Sequence, residues 1–347
     1  MIDISQITIK DIAKISGVGV STVSRAINDH PNISPKTKTK VLQVMEEYGY
    51  TPNNNARNLK ITDTKTIAVL IKGISNPFFS KMITTFEEEI QKKGYNFLLH
   101  KIDLLENEVD VAVELINEKK ISGIIFLGGS FIHNQSVSKI NVPFILSTIA
   151  ITDSLQEEKH SFVSVDDEVE SFKIVDYLCE MGHEKIAIIK ASDNDTSIGH
   201  LRLSGYKKAL EKNKIKFDEN LCFTMKDDID GYSMENGYRV MNEILESDFF
   251  EDITAVYGIS DSIALGACRA IYEKGLSIPE DLSVVGFDGI EVSKFFIPKL
   301  TTIEQPVEDI SKETTRILFK MINDEKYKSQ KIFKGNLIKG ESTKKCK

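Results

Sequence analysis

The sequence predicts an α/β protein: a small three-helix head followed by two doubly wound parallel-sheet subdomains. The texture changes near residue 62, where short apolar-periodic segments without β-branched runs give way to strand candidates alternating with helical patterns. Those apolar runs are nearly continuous, as in strands buried on both faces, which calls for crossover helices on either side. About eight such strands over roughly 280 residues suit two sheets better than one, because single cores stop growing near 250 to 300 residues.

In the head, Thr8 caps a first helix whose third position is the acidic Asp11; Ile9, Ile12 and Ala13 share one face, and Gly17 ends it. A second helix begins after Gly19, with Val23 and Ile27 facing inward and Ser21 and Arg25 facing outward. That outward face carries groups that can read DNA, since a guanidinium forks onto guanine and a hydroxyl bonds to base edges or phosphates. Ser34 as N-cap and Pro35 at the first helical position open a third helix that buries Val41, Leu42 and Met45 and stops at Gly49. Three short helices with a tight turn between the first two outline a helix-turn-helix. Periodicity alone leaves a bundle used for protein contact equally open. Thr51 and Pro52 then start a further short helix in "TPNNNARNLK", residues 51–60, marginal in water at this length and in need of a partner.

After the polar connector "ITDTK" at 61–65 come the strand candidates: 66–71, 95–100, 121–128 and 142–147, then 162–165, 185–191, 253–260 and 282–289. The chain is ordinary in composition, 41% hydrophobic and 28% charged, which excludes disordered and fibrous classes. No apolar run reaches the length of a membrane span. The start, "MIDISQITIKDIAK", lacks the features of a secretory signal, so a cytoplasmic protein is expected. Charge is uneven: eight Lys/Arg against five Asp/Glu give residues 1–62 a charge of +3, which leaves −11 for the rest of a chain of net −8. A basic head on an acidic body suits contact with phosphates at one end only. Cys179, Cys222, Cys268 and Cys346 form no C-x-x-C and read as buried spectator thiols, so neither a zinc site nor a disulfide framework is expected. Phosphate-loop, dinucleotide, nucleophile-elbow and metal-spaced His/Glu motifs do not occur, so neither an enzyme nor a cofactor is expected.

The segments "DIAK", "GVGVSTVSRAIN", "ISPKT" and "GYTPNNNARNLK" follow one another in the order of the DNA-binding region of the LacI/GalR family of bacterial transcription regulators, which this chain resembles. The resemblance continues through "ISNPFF", "MGHEKIAII", "RLSGYKKAL", "SDSIALGACRAIYEKGLSIPEDLSVVGFDG" and "LTTIEQP", and the same body is similar to periplasmic sugar-binding proteins. It implies a helix-turn-helix over 1–50, a hinge helix and linker over 51–65, and an effector-binding and dimerisation domain over 66–347. The last would divide into 66–164 plus 295–325 and 165–294 plus 326–347. Carried over, Val20, Ser21 and Arg25 take the base-reading places and Thr22 and Ser24 assist at phosphates, with Thr8, Asn28 and Asn53 at the same interface. In the hinge, Leu59 takes the place of a leucine that wedges into the minor groove, Ala56 faces the twin helix, and Arg57 and Lys60 lie near phosphates. Gly19 stands where the family usually has a serine cap, which costs only a few tenths of a kcal/mol.

For the body, the resemblance implies a metabolite held between the subdomains, outside the carboxyl ends of the strands. Asp288 and Arg202 would grip hydroxyls, Asn76 and Asp261 would assist, and Phe79 and Tyr232 would stack, with Phe78 beside them. Asp166 and Asp167 stand where relatives often show Asp-Asn. His183 reads as a structural hydrogen-bonder. The purine-responsive branch has an additional arginine where this chain has Thr196, so a neutral sugar or similar polyol is expected rather than a purine. Two heads and a marginal hinge helix imply a homodimer on pseudo-palindromic operator DNA. The tail "NLIKGESTKKCK" has no leucine heptads, so no tetramer is expected.

Overall fold

In the computed structural model, the described residues are 8–27, 33–48, 65–103, 106–129, 135–149, 160–192 and 198–346. The chain divides into two units, 1–64 and 65–347.

The first unit contains α1 (Ile9–Ser16), α2 (Val20–Ile27) and α3 (Pro35–Glu47). Both the backbone N–H and the hydroxyl of Thr8 donate to the Asp11 carboxylate, at 3.0 and 2.5 Å, which fixes the start of α1. Gly17 closes α1 in the left-handed region, φ 67°, and Val18 N–H reaches back to the Ala13 carbonyl at 3.0 Å. The tight turn that aims α2 is therefore set by one glycine. Ser34 accepts from Thr37 N–H at 3.2 Å, the cap expected for α3. Ile12, Ala13, Val23, Ala26 and Val41 form the core, with Ile9, Ile27 and Met45 packed against it. Leu42 differs from expectation and is exposed. The inward stripe of α3 runs through Val41, Val44, Met45 and Tyr48 at i, i+3, i+4, i+7, and Leu42 lies off that stripe. Gly49, Asn28 and all of 51–60, including Asn53, Ala56, Arg57, Leu59 and Lys60, lie outside the described residues.

The second unit holds two six-stranded sheets. The first comprises β1 (Thr66–Lys72), β2 (Asn96–Ile102), β3 (Ile121–Leu127), β4 (Phe144–Ser147), β5 (Phe162–Val165) and β11 (Gln330–Phe333), in the order β11-β5-β4-β3-β1-β2. The second comprises β6 (Ile186–Lys190), β7 (Cys222–Thr224), β8 (Ala255–Gly258), β9 (Ser283–Asp288), β10 (Thr301–Glu304) and β12 (Asn336–Ile338), in the order β12-β10-β9-β8-β6-β7. Every pairing is parallel except β10 with β12. In each sheet the order reverses once, between β1 and β3 and between β6 and β8, and such reversals open a crevice at the carboxyl ends of the strands.

Among the described residues, helices cover these sheets: α4 (Phe78–Lys92), α5 (Glu108–Glu118), α6 (Asp167–Glu180), α7 (Ile198–Lys212), α8 (Met234–Glu246), α9 (Asp261–Glu273), α10 (Glu291–Phe295) and α11 (Val307–Asn323). None of them is long and apolar enough to cross a membrane. All eight strand candidates are strands. The four that were not anticipated, β7, β10, β11 and β12, are only three or four residues long, and three of them are partly exposed. Two of these move the subdomain boundaries. β10 pairs with β9, so 301–304 belongs to the second sheet and not the first. β11 pairs with β5, so 330–333 belongs to the first sheet and not the second. The chain consequently crosses between the sheets at residue 166, at 305–306 and at 334–335. The four cysteines are free; Cys268 is buried, whereas Cys179, Cys222 and Cys346 are only half-buried.

Candidate functional site

In the first unit, α2 presents Val20, Ser21 and Arg25 to solvent, while Thr22 and Ser24 are half-buried at its flanks. Val23 and Ala26 point into the core on the other side. A helix with its apolar stripe buried and a hydroxyl and guanidinium outward can lie in a major groove. Thr8 takes part in the cap of α1, where its hydroxyl is engaged by Asp11.

In the second unit, a cavity of about 290 Å³ opens at the carboxyl ends of strands from both sheets. Lys72, Asn76, Phe78, Phe79, Gly128, Gly129 and Thr148 line it from the first sheet; Asp167, Arg202, Lys226, Asp227, Asp230, Tyr232, Asp288 and Gln305 line it from the second sheet and the crossings. At its base lies Arg202, a fully buried residue of α7. Its Nε donates to Asp167 Oδ1 at 2.9 Å, Nη2 lies 3.2 Å from Asp288 Oδ1, and Nη1 donates to the Ile259 carbonyl. The guanidinium also stacks over Phe287, 3.7 Å from the ring centroid. Gln305 completes the cluster: its amide donates to Asp288 Oδ1 at 2.9 Å and its backbone N–H to the Asp288 carbonyl at 3.1 Å. Asp288 is held at φ 115°, a conformation that a non-glycine residue adopts only when its surroundings impose it.

Two carboxylates share one guanidinium, so the charges do not cancel. Burial pushes Asp288 up to about 6, against the opposing pull of Arg202 and the Gln305 amide. Burial likewise raises Asp167 despite its bond to Arg202. Arg202 loses hydration on burial, yet Asp288 and Asp167 outweigh that loss and hold it above the ordinary guanidinium range. A carboxylate poised in this way is a strong acceptor for hydroxyl groups.

Asp261 is the one expected ligand residue that does not line the cavity. It stands at the start of α9, fully buried, accepting from the Thr302 hydroxyl at 2.5 Å and from Ile290 N–H at 2.8 Å. Its partners are the segment after β9 and the strand β10, so it anchors structure behind Asp288. Burial, then the charge of Asp288, raises it to about 8. A raised carboxyl contributes stability that is present below its unfolded pKa and is lost as pH rises through the folded value. Asp261→Asn is therefore expected to flatten the decline in stability between about pH 4 and pH 8 while changing ligand affinity little. Denaturant titrations across that range check the first part, and a fall in ligand affinity as large as that of a cavity variant would return Asp261 to the site.

Phe78 and Phe79 begin α4 and meet edge to face, with centroids 5.2 Å apart. Asn76 Oδ1 accepts from Phe78 N–H at 3.1 Å, so what Asn76 offers a ligand is its amide N–H. Gly128 must be glycine, since a Cβ there would lie 2.7 Å from the Phe79 ring. Six expected residues, Asn76, Phe78, Phe79, Arg202, Tyr232 and Asp288, thus converge on one cavity. Gln305 was missed because it follows β10, a strand whose buried threonines hide it from an apolar pattern. Among the described lining residues each cation is already paired: Lys72 with Glu108 at 3.3 Å, Lys226 with Glu243 at 2.6 Å, and Arg202 with its two carboxylates. Asp227 and Asp230 add further negative charge. His183 is structural: its Nε2 donates to the Lys344 carbonyl and Nδ1 meets the Thr254 hydroxyl, both at 2.9 Å, and burial lowers its pKa.

Residues 8–53 match the family model described as bacterial regulatory proteins, lacI family, and residues 175–343 match a periplasmic binding protein-like domain. The chain is 37% identical over 342 residues to the HTH-type transcriptional regulator MalR of Clostridium butyricum, covering 96% of this chain and 98% of that relative. Among solved structures it is similar to the lac repressor dimer bound to operator and the anti-inducer ONPF, with 26% identity, a TM-score of 0.74 and coverage of 98% of this chain and 100% of the other. It is also similar to the transcriptional regulator CelR in complex with cellobiose, at 26% identity and a TM-score of 0.68, over 97% and 100% of the two chains. A helical head with an exposed polar face on α2, a cavity at the switch points of two parallel sheets, and these likenesses over nearly the full length agree: the chain belongs to the LacI family of bacterial transcriptional regulators, a family of DNA-binding proteins and not of enzymes.

Proposed function

We propose that this regulator acts in the cytoplasm as a homodimeric repressor of a pseudo-palindromic operator and is controlled by a neutral sugar or similar polyol bound between the two subdomains. The observation that carries the ligand class is the charge balance of the cavity. A phosphate or carboxylate would meet acidic groups and no uncommitted cation among the described lining residues, whereas sugar hydroxyls find acceptors in Asp288 and Asp167 and sugar C–H faces find Phe79 and Tyr232. Support by analogy comes from CelR, whose solved structure contains cellobiose. Thr196, the other argument against a purine, lies outside the described residues. A thermal-shift screen tests the reading with neutral mono- and disaccharides, sugar phosphates, nucleosides and purines. A ligand at 100 times its Kd adds about 2.7 kcal/mol to the stability of the body. A shift with purines or sugar phosphates and none with any neutral sugar would overturn the ligand class.

For the DNA end, Arg25→Ala is expected to cost about 1–3 kcal/mol of operator affinity and to relax preference at one base pair per half-site. Equal binding of the variant and the wild type to the selected operator would remove Arg25 from the reading face. Leu59, in the hinge, is assigned to the minor groove on the same reading, with Ala56 toward the twin helix.

For the dimer, support comes from α10 and the turn after it, where Val292, Phe295 and Ile297 are 42%, 77% and 85% exposed. Large apolar side chains grouped in this way mark association surfaces. Ile297→Asp is expected to raise the dimer dissociation constant at least tenfold, about 1.4 kcal/mol, by burying a charge at the contact. Sedimentation equilibrium measures it, and an unchanged constant would place the interface elsewhere.

A further inference from the structure

Two of the three crossings between the sheets end on side chains that are bonded to each other, the first on Arg202 and the second on Asp288. At the first, Asp166 leads into α6, and the next residue, Asp167, is buried and bound to Arg202 Nε at 2.9 Å. At the second, β10 leads into α11, which packs on α4 and on β3, β4 and β5 of the first sheet. The residue between is Gln305, buried, with its side chain and backbone N–H both donating to Asp288. Arg202 joins the two, lying between Asp167 and Asp288 Oδ1. Asp288 Oδ1 thus accepts from both Arg202 and Gln305, and the carboxylate that lines the cavity is also the point to which the second crossing is tied. The third crossing differs: Gly335 stands against Ile303 and Glu170, with no side chain of its own to offer.

We propose that Gln305 is a positioning residue that acts through Asp288. With Asp167, Arg202 and Asp288 it forms one clamp that couples the backbone at the first crossing to the backbone at the second. The link to a regulatory ligand rests on the cavity being the effector site; the clamp itself does not, and can be tested without any ligand.

The reporters are backbone amides at the two crossings. Val169 N–H donates to Asp166 Oδ1 at 3.0 Å and Glu170 N–H to the Asp166 carbonyl at 2.9 Å; Ile310 N–H donates to the Pro306 carbonyl at 3.0 Å. Hydrogen exchange of the ligand-free full chain is measured for the wild type, Gln305→Met and Gln305→Glu. Methionine keeps the volume and loses the donor; glutamate keeps the volume and places a like charge against Asp288. Expected is exchange about tenfold faster at Ile310 and also at Val169 and Glu170 in Gln305→Met, faster still in Gln305→Glu, with the amides of β3 and β8 unchanged. Asp167→Asn, entering from the other crossing, is expected to accelerate Ile310. Acceleration confined to the crossing that carries the substitution, or a methionine variant that exchanges like the wild type, would overturn the clamp. If the clamp holds and no neutral sugar binds, only the ligand reading fails.

Discussion

Arg202→Met is expected to destabilise the α/β body by about 3–5 kcal/mol near pH 8, because removing one partner of a buried ion pair leaves the others uncompensated. Asp167 and Asp288 are both buried, and Arg202 is the guanidinium bonded to them. The loss should shrink toward pH 5. Without the guanidinium the folded-state values of both carboxyls rise further above the unfolded value, so their contribution is favourable at low pH and is lost as pH rises through the folded values. Protonation lets the two carboxyls remain buried as neutral groups, and Asp261, raised to about 8, responds in the same direction in the wild type and must be subtracted. Urea titrations of both proteins at pH 5 and pH 8 measure the difference. A loss that is equal at the two pH values would mean that Arg202 contributes packing over Phe287 and not charge.

Asp288→Asn is expected to weaken binding of a sugar by one to two orders of magnitude, since a charge-assisted hydrogen bond contributes about 1.5–3 kcal/mol. The substitution keeps one acceptor oxygen, replaces the other by a donor, and removes the charge that Arg202 and Gln305 orient. The effect of the sugar on operator binding should be lost with it, because a ligand shifts an equilibrium only by its differential affinity for two states. Calorimetric titration at equal protein concentration checks the affinity, and an unchanged value would move the site away from Asp288.

Much of the fold is legible in short-range sequence signals. Thr8 with Asp11, Gly17, and Ser34 with Pro35 mark the ends of the head helices through local chemistry that needs no tertiary information. Seven of the eight anticipated strands stand out because both of their faces are buried, and β2, at a sheet edge, is apolar but only half-buried. What is hidden is set by neighbours. β10 reads as polar, yet Thr301 and Thr302 are buried, bonded to the tail and to Asp261. β11 and β12 are edge strands whose partners come from remote sequence, so nothing near them shows which sheet they join. At the site, Asp288, Arg202 and the aromatic pair are visible as motif residues following strands. Asp261 follows β8 in the same way but is directed to Thr302 and Ile290 behind the cavity, a distinction only packing makes. Gln305 acquires its role from the second crossing, which depends on the pairing of the unanticipated β10, and Asp167 acquires its own from the bond to Arg202, which is remote in sequence.

In the proposed function, one small neutral ligand, held at Arg202 and Asp288, and one DNA duplex, held by the heads, act on the same equilibrium. The most direct measurement is calorimetric titration of the best neutral sugar into the protein, alone and saturated with its selected operator, alongside operator titrations with and without that sugar. The sugar's Kd is expected to change on operator binding by the same factor as the operator's Kd changes on sugar binding, since the coupling free energy is shared. Sugar binding that leaves operator affinity untouched, with the sugar's own Kd equally indifferent to operator, would contradict it.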